Sequence, residues 1–367
     1  MTDLVELFLH LATIEGTSLA ERKVADEVTS ILRNAGIRVL EDGSAAVLGG
    51  NSGNLLCFPP KYNPNHPAIM LTAHLDTVQS TAHLKPIVDA GVIRSDGSTI
   101  LGGDNRLGLS ALVRLMVDAA RNEIPYRSFF IVFTVGEEIG LLGADTVDLS
   151  PYNPSCAYVF DCSKRPGIFI RESVGLDMFT AQFIGKSAHS GVAPEEGISA
   201  IQLAGKAIAR LQLGRIDAET TANIGKIHGG EAVNAIPAKV TIEGEVRSFS
   251  PDRIMQQLSL IEQTLRDSLD GIGALVFSAQ RDFEPYSLSR EAPMILELEQ
   301  AMKNVGLAPQ PIRYTGGSDA NKYNAKGIPA VNIGIGAQKP HSHEEFFLIE
   351  DLMRTYELAH ELIRPKH

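Results

Sequence analysis

Apolar positions along the chain follow two rhythms. In "LVELFLHLATI" and "LAERKVADEVTSILRNAG" they recur at helical intervals, and Gly36 closes the second segment as glycine often closes a helix. In "HPAIMLTAHL", "SFFIVFTV", "CAYVFDC" and "PAVNIGIG" they run on with few polar interruptions and read as strands. Between the first two strands lies "RLGLSALVRLMVDAARN", which the spacing predicts to be an amphipathic helix. Strands that alternate with helices predict an α/β fold, with a mostly parallel sheet covered by helices on both faces.

The middle of the chain changes rhythm. "VGLDMFTAQFIG" has strand character and is followed by a helix in "GISAIQLAGKAIARLQ". Two strand candidates follow, "ANIGKIHGG" and "AKVTIEGEVRS", with Asn234 and Pro237 in the turn between them. A long helix begins near Pro251, and "GALVFSAQRDF" completes the set. The order βαββαβ is that of ferredoxin-like domains. This domain is expected over residues 174–287, inserted into an α/β domain made of residues 1–173 and 288–367.

Composition narrows the field. A chain of 367 residues accommodates two domains. With 44% apolar and 21% charged residues it matches ordinary soluble globular proteins. The formal net charge of -11, with no lysine or arginine cluster, argues against nucleic acid as a partner. Cys57, Cys156 and Cys162 are an odd set without CxxC spacing, so no disulfide framework is indicated. "MTDLVELFLHLATIEGTS" lacks the basic stretch of a signal peptide, and no apolar run reaches the roughly 18 residues of a membrane span. A soluble cytoplasmic protein without a membrane partner is the expectation.

Four polar clusters fall at the ends of predicted strands, where open α/β sheets bind ligands. They are His74 and Asp76 in "TAHLDTV", Asp104 in "LGGDNRLG", Glu137 and Glu138 in "TVGEEIG", and Asp161 in "VFDCS". Taken singly, each has an ordinary explanation: a surface hydrogen bond, a helix N-cap, solvated acids or a turn residue. Taken together, these acids converge at one sheet edge and repel one another unless a cation meets them. One histidine among several carboxylates suits zinc, manganese or cobalt better than calcium. His341 and His343 in "QKPHSHEEF" follow the last strand, and a second imidazole extends the set to two metals, which act in concert when about 3.5–4 Å apart. One carboxylate must then stay off the metals to move a proton, so one of the paired glutamates is a ligand and the other a base.

In order and spacing, "TAHLDTV", "GGDNRLG", "TVGEEIGLLGA", "VFDCS" and "HSHEEF" resemble the motifs of the di-zinc metallopeptidase family. That family includes peptidase T, glutamate carboxypeptidases, aminoacylases and succinyl-diaminopimelate desuccinylase. The resemblance implies that His74 and Asp161 bind one metal, Glu138 and His341 the other, and Asp104 both. It makes Asp76 the partner that orients His74 and Glu137 the general base, and it marks Asp104–Asn105 as a candidate cis peptide. His341 is preferred over His343 because the family's histidine precedes a glutamate by four residues, as Glu345 does here. "GKSAHSGVAPEEGISAI" resembles the lid segment whose histidine, here His189, stabilises the oxyanion and in dimeric members comes from the neighbouring subunit. "GGEAVNAIPAKVTIEGEVRS" resembles the stretch whose Asn234 and Arg247 hold substrate, and "YTGGSDANKYNAKGIP" a substrate-side glycine loop. The implied protein is a homodimer joined through its lid, and an aminopeptidase or tripeptidase with two divalent metals, zinc foremost and cobalt or manganese as alternatives. Its substrate is a short peptide. A deacylase or carboxypeptidase acting on N-acyl amino acids shares all the metal residues, and a non-catalytic binding protein of the same fold would lack a ligand or the base.

Overall fold

In the computed structural model, which describes residues 2–121 and 123–365, the chain forms two compact units. The first comprises Met1–Arg171, Ser287–Arg313 and Ser318–His367; the second comprises Glu172–Tyr286 with Tyr314–Gly317.

At the centre of the first unit four parallel strands lie side by side, in the order Phe129–Thr134, Ala68–His74, Pro154–Cys162 and Ala330–Gly334. Leu55–Phe58 extends one edge antiparallel and Ile168–Ser173 the other. Every residue of Ala68–His74 and Phe129–Thr134 is buried. Helices cover both faces of such a sheet, so its strands have no solvent side and show no apolar–polar alternation. On one face lies the helix Gly103–Ala120, with Thr2–Ala12 and Ile349–Ile363 packed behind it. Asp319–Ala325 packs on the sheet through Ala330–Gly334 and Pro154–Cys162.

Gly103–Ala120 departs from the amphipathic helix that its spacing predicts. It is buried almost throughout, Arg106, Ser110 and Asp118 included. Ser110 and Asp118, which suggest a wet face in sequence, are satisfied inside the protein. The Ser110 hydroxyl donates to the Arg106 carbonyl at 2.6 Å, and Asp118 accepts from the Arg114 guanidinium at 2.8 Å and from the Tyr356 hydroxyl at 2.6 Å. Asn122, the last residue of the predicted segment, lies outside the described residues.

The second unit is an antiparallel sheet in the order Thr220–Gly229, Lys239–Ser248, Gly175–Ile184 and Ala274–Phe283, with a short strand, Gly214–Arg215, at the edge. Its helices, Ala200–Ile208 and Pro251–Asp267, start at Ser199 and Ser250, whose hydroxyls accept the Gln202 and Arg253 amides. Phe179, Phe183, Val240, Ile242, Ile254 and Ile261 form the centre of its own apolar core.

Gly108 fits the buried helix onto the strand that carries Asp161. A Cβ at this position would collide with the Asn105 side-chain oxygen and the Phe160 carbonyl, which belong to the start of the helix and to the sheet. Gly108→Ala is expected to destabilise the first unit by about 1–3 kcal/mol, the usual cost of overpacking. Urea unfolding followed by far-UV circular dichroism measures it, and an unchanged midpoint would contradict this account of the packing.

Candidate active site

Because the four central strands are parallel, their carboxyl ends lie along one edge, and the polar clusters meet there. His74 ends its strand, and its Nδ1 lies 3.0 Å from the Asp76 carbonyl oxygen and 3.3 Å from Asp76 Oδ1. That leaves Nε2 facing inward, 3.2 Å from Asp104 Oδ1 and 3.2 Å from Asp161 Oδ1. A second group forms around His341, whose Nε2 is 3.0 Å from Glu138 Oε2 and 3.6 Å from Asp104 Oδ2. Asp104 thus presents one oxygen to each group. Glu137 belongs to neither, since its Oε2 stands 3.9 Å from His74 Nε2.

These groups fit divalent cations. Donors about 2.0–2.2 Å from a tetrahedral zinc-sized ion stand roughly 3.3–3.6 Å apart, close to the spacings of both groups. Donor atoms of His74, Asp104 and Glu138 all lie within 4.8 Å of one another. Glu138 Oε1 is buried and makes no hydrogen bond, a costly state for a carboxylate oxygen unless a cation meets it.

The electrostatics agree. Burial alone would lower the basicity of His74, yet Asp104, Asp161 and Asp76 hold it well above the ordinary value. Asp104 and Glu138 push His341 up to about 10. Burial raises Glu137 well above the carboxylate range, helped by the charge of Asp161, and raises Glu138 and Asp161 as well. For Asp104 burial acts upward too, but His341 and His74 outweigh it and the carboxyl is depressed.

Other side chains hold this edge in shape. Asp76 is buried and accepts the backbone amides of Glu137 at 3.0 Å and Glu138 at 3.2 Å, so it fixes the turn as well as His74. Gly136, at φ 60°, makes that turn possible immediately after the strand. Glu345 accepts the amides of Gly102 at 2.8 Å and Asp104 at 2.9 Å, and the Asp104–Asn105 peptide is cis. Asn105 donates from Nδ2 to the Phe160 carbonyl at 2.8 Å and to Asp161 Oδ1 at 3.2 Å, a role an aspartate could not fill. Asp319 accepts from the Thr134 hydroxyl at 2.6 Å, while its other oxygen is buried without a hydrogen bond.

In the sequence Glu345 serves only as a spacing marker and Asn105 only as half of a candidate cis peptide, and neither Thr134 nor Asp319 stands out. "HSHEEF" and "GGSDANK" contain Glu345 and Asp319, but nothing local marks either as buried. His343 stays outside the cluster, exposed, with Nδ1 3.0 Å from the Gly97 carbonyl.

The remaining candidates belong to the second unit. His189 and Asn234 are exposed on two loops joined by backbone hydrogen bonds, Ser190 N to Asn234 O at 3.0 Å and Ile236 N to Ala188 O at 2.8 Å. Arg247 lies on Lys239–Ser248, where its guanidinium donates to Glu245 at 2.9 and 3.1 Å and to the Thr315 carbonyl at 3.3 Å.

Fold and site together define an α/β protein with a ferredoxin-like second unit and, at its parallel sheet edge, a cluster of histidines and carboxylates suited to divalent metals. A family profile described as the peptidase dimerisation domain (M20) matches residues 171–271, and one described as M42 glutamyl aminopeptidase matches residues 98–166. The chain is 33% identical to the uncharacterized protein YqjE of Bacillus subtilis, covering 97% of this chain and 96% of the relative. It is 32% identical to the aminopeptidase PepT of Bacillus cereus, covering 98% of this chain and 97% of that structure with a TM-score of 0.86. A tripeptidase of Staphylococcus aureus is also 32% identical, with coverages of 98% and 97% and a TM-score of 0.90. The chain belongs to the M20 family of metallopeptidases, among its peptidase T-like members.

Asp319 and Glu345 are both pushed up to about 7, chiefly by burial. A carboxyl whose folded pKa lies above its unfolded value stabilises the fold below the unfolded pKa and loses that contribution as pH rises through the folded one. His341 acts in the same direction at higher pH, its contribution being lost between 6.5 and about 10. The chelator-treated protein should therefore lose thermal stability as pH rises from 4.5 through about 7. Asp319→Asn should flatten that fall. Thermal unfolding across this range checks both, and a midpoint that rises with pH would refute the assignment.

Proposed function

We propose that the chain is an aminopeptidase that uses two divalent metal ions, zinc foremost, to release the first residue of short peptides. The observation that carries this reading is Asp104, whose two oxygens serve different groups while Glu137 stays out of both. His74 and Asp161 would hold one ion, Glu138 and His341 the other, and Asp104 would serve both. When bound, such ions polarise a carbonyl and make water a nucleophile at neutral pH.

The protein's own groups do the rest. Glu137 takes a proton from the attacking water and returns it to the leaving amine nitrogen. Burial raises its basicity, which suits a group that must both accept and release a proton near neutral pH. Asp76 keeps His74 in the tautomer that turns Nε2 toward the metal, and its hold on the Glu137 amide fixes the backbone that carries the base. His189 donates to the developing oxyanion, Asn234 holds the peptide, and Arg247 pairs with its carboxylate. The second unit carries these three residues and forms a homodimer interface. Among the described residues no helix is long and apolar enough to cross a membrane, in keeping with a cytoplasmic enzyme acting on soluble peptides.

The zinc-loaded chain is expected to cleave tripeptides with a free amino end and to leave their N-acetylated counterparts intact. Preference for the blocked peptides would overturn the aminopeptidase reading in favour of a deacylase acting on N-acyl substrates. Glu137→Gln should lower kcat by about 10²–10⁴-fold, the usual contribution of a general base. Its metal content, measured by plasma mass spectrometry, should stay at two ions per chain, and undiminished turnover would remove Glu137 from this role. Sedimentation velocity should show a dimer.

A further inference from the structure

The segment from Thr13 to Glu21 runs beneath the site, and its contacts converge on the turn that carries the paired glutamates. The Ile14 carbonyl accepts from Arg106 Nη2 at 3.2 Å, and the Gly16 carbonyl accepts the Thr77 amide at 3.0 Å. The Ser18 hydroxyl donates to Asp76 Oδ2 at 2.6 Å. Glu21 stands at the start of the helix Arg22–Asn34, yet its side chain does not cap that helix. Its Oε1 accepts the amides of Leu19 and Gly136, both at 2.9 Å.

Three consecutive amides of the turn are therefore held by two buried carboxylates, Gly136 by Glu21, and Glu137 and Glu138 by Asp76. Neither carboxylate reaches solvent, and Glu21 Oε2 has no hydrogen bond. Two such groups need positive charge nearby, and His74, 3.3 Å from Asp76, answers only one of them. Among the described residues Arg106 is the only fully buried lysine or arginine, and its guanidinium attracts both Asp76 and Glu21. It also donates to the Leu75 carbonyl, just beyond His74.

We propose that Glu21 and Arg106 are positioning residues for the Glu137–Glu138 turn, Glu21 by holding the Gly136 amide and Arg106 by supplying the buried charge that offsets Glu21 and Asp76. Only the kinetic readout below rests on the peptidase reading; the backbone readout does not.

The test uses the full chain. Glu21→Leu removes the acceptor, Glu21→Gln keeps a carbonyl oxygen in its place, and Arg106→Met keeps the length of the side chain without its charge. Hydrogen exchange followed by mass spectrometry is read on peptides spanning Gly136–Glu138 in the chelator-treated protein, and kcat and KM are read on a tripeptide with zinc. In Glu21→Leu, exchange of this turn should accelerate and kcat fall about 10–100-fold, the usual range for outer-shell partners, with KM within about threefold. Glu21→Gln should recover most of both effects. Arg106→Met should also loosen the turn, and adding Glu21→Gln should restore part of the loss, because it removes one of the two facing negative charges.

Wild-type exchange in Glu21→Leu overturns the proposal, as does Glu21→Gln falling as far as Glu21→Leu. A double variant worse than Arg106→Met removes Arg106 from the role. Should Glu21→Leu lose cooperative unfolding, the Glu21→Gln and Arg106→Met comparisons decide by the same criteria. A wild type that cleaves no tripeptide refutes the peptidase reading alone, and the exchange results still stand or fall separately.

Discussion

Like charges brought together out of water shape everything at this sheet edge. Two carboxylates about 4 Å apart repel by roughly 4 kcal/mol at the effective dielectric of a protein surface, and more where water is excluded. Asp76, Asp104, Glu137, Glu138 and Asp161 meet there at once, with His74 and His341 as the imidazoles paired to them. Several such pairs exceed the roughly 5–15 kcal/mol by which a folded domain is stable. The edge holds together only where positive charge or hydrogen-bond donors meet each oxygen. Cations between the two His-centred groups would meet the oxygens of Asp104, Asp161 and Glu138; the other acids need a different answer.

Backbone amides provide it. Asp76 and Glu345 are each fully buried and each accept two amides from the turns that carry functional carboxylates. The same bonds that solvate a buried acid also fix the backbone beside the ligand, so electrostatic relief and positioning are one event. The glycines belong to this arrangement. Gly102, at φ 73°, and Gly136, at φ 60°, take left-handed conformations that let two amides of one turn point at one carboxylate, which most other residues reach only with strain.

This explains what could be read from sequence and what could not. The parallel sheet was legible because its strands are buried on both faces and therefore apolar along their whole length, as "FFIVFT" is. His74, Asp161 and Glu138 were legible because each ends or closely follows such a strand, whereas Asp104 opens the helix Gly103–Ala120. The helix Gly103–Ala120 looks two-faced in sequence because a serine satisfied by its own helix and an aspartate paired with arginine look the same there as solvent-facing ones. Glu21 and Asp319 carried no local signal at all. Their partners lie 115 and 185 residues away in the chain, and nothing in "LAERK" or "GSDAN" marks an acid as buried.

The pair Glu137–Glu138 shows how two identical neighbours acquire different tasks. Both amides bind one carboxylate, Asp76, so the backbone treats them alike. Their side chains part company. Glu138 reaches 3.0 Å from His341 and carries an oxygen with no protein partner, the posture of a ligand. Glu137 stops 3.9 Å short of the nearest imidazole nitrogen, and burial and the negative charge of Asp161 favour its protonated form. A carboxylate placed against a cation would give up its proton too readily to return it. One kept just outside the donor set, among negative neighbours, can hold a proton and pass it on. The strand end therefore needs two acids rather than one, because neither position can serve the other's purpose.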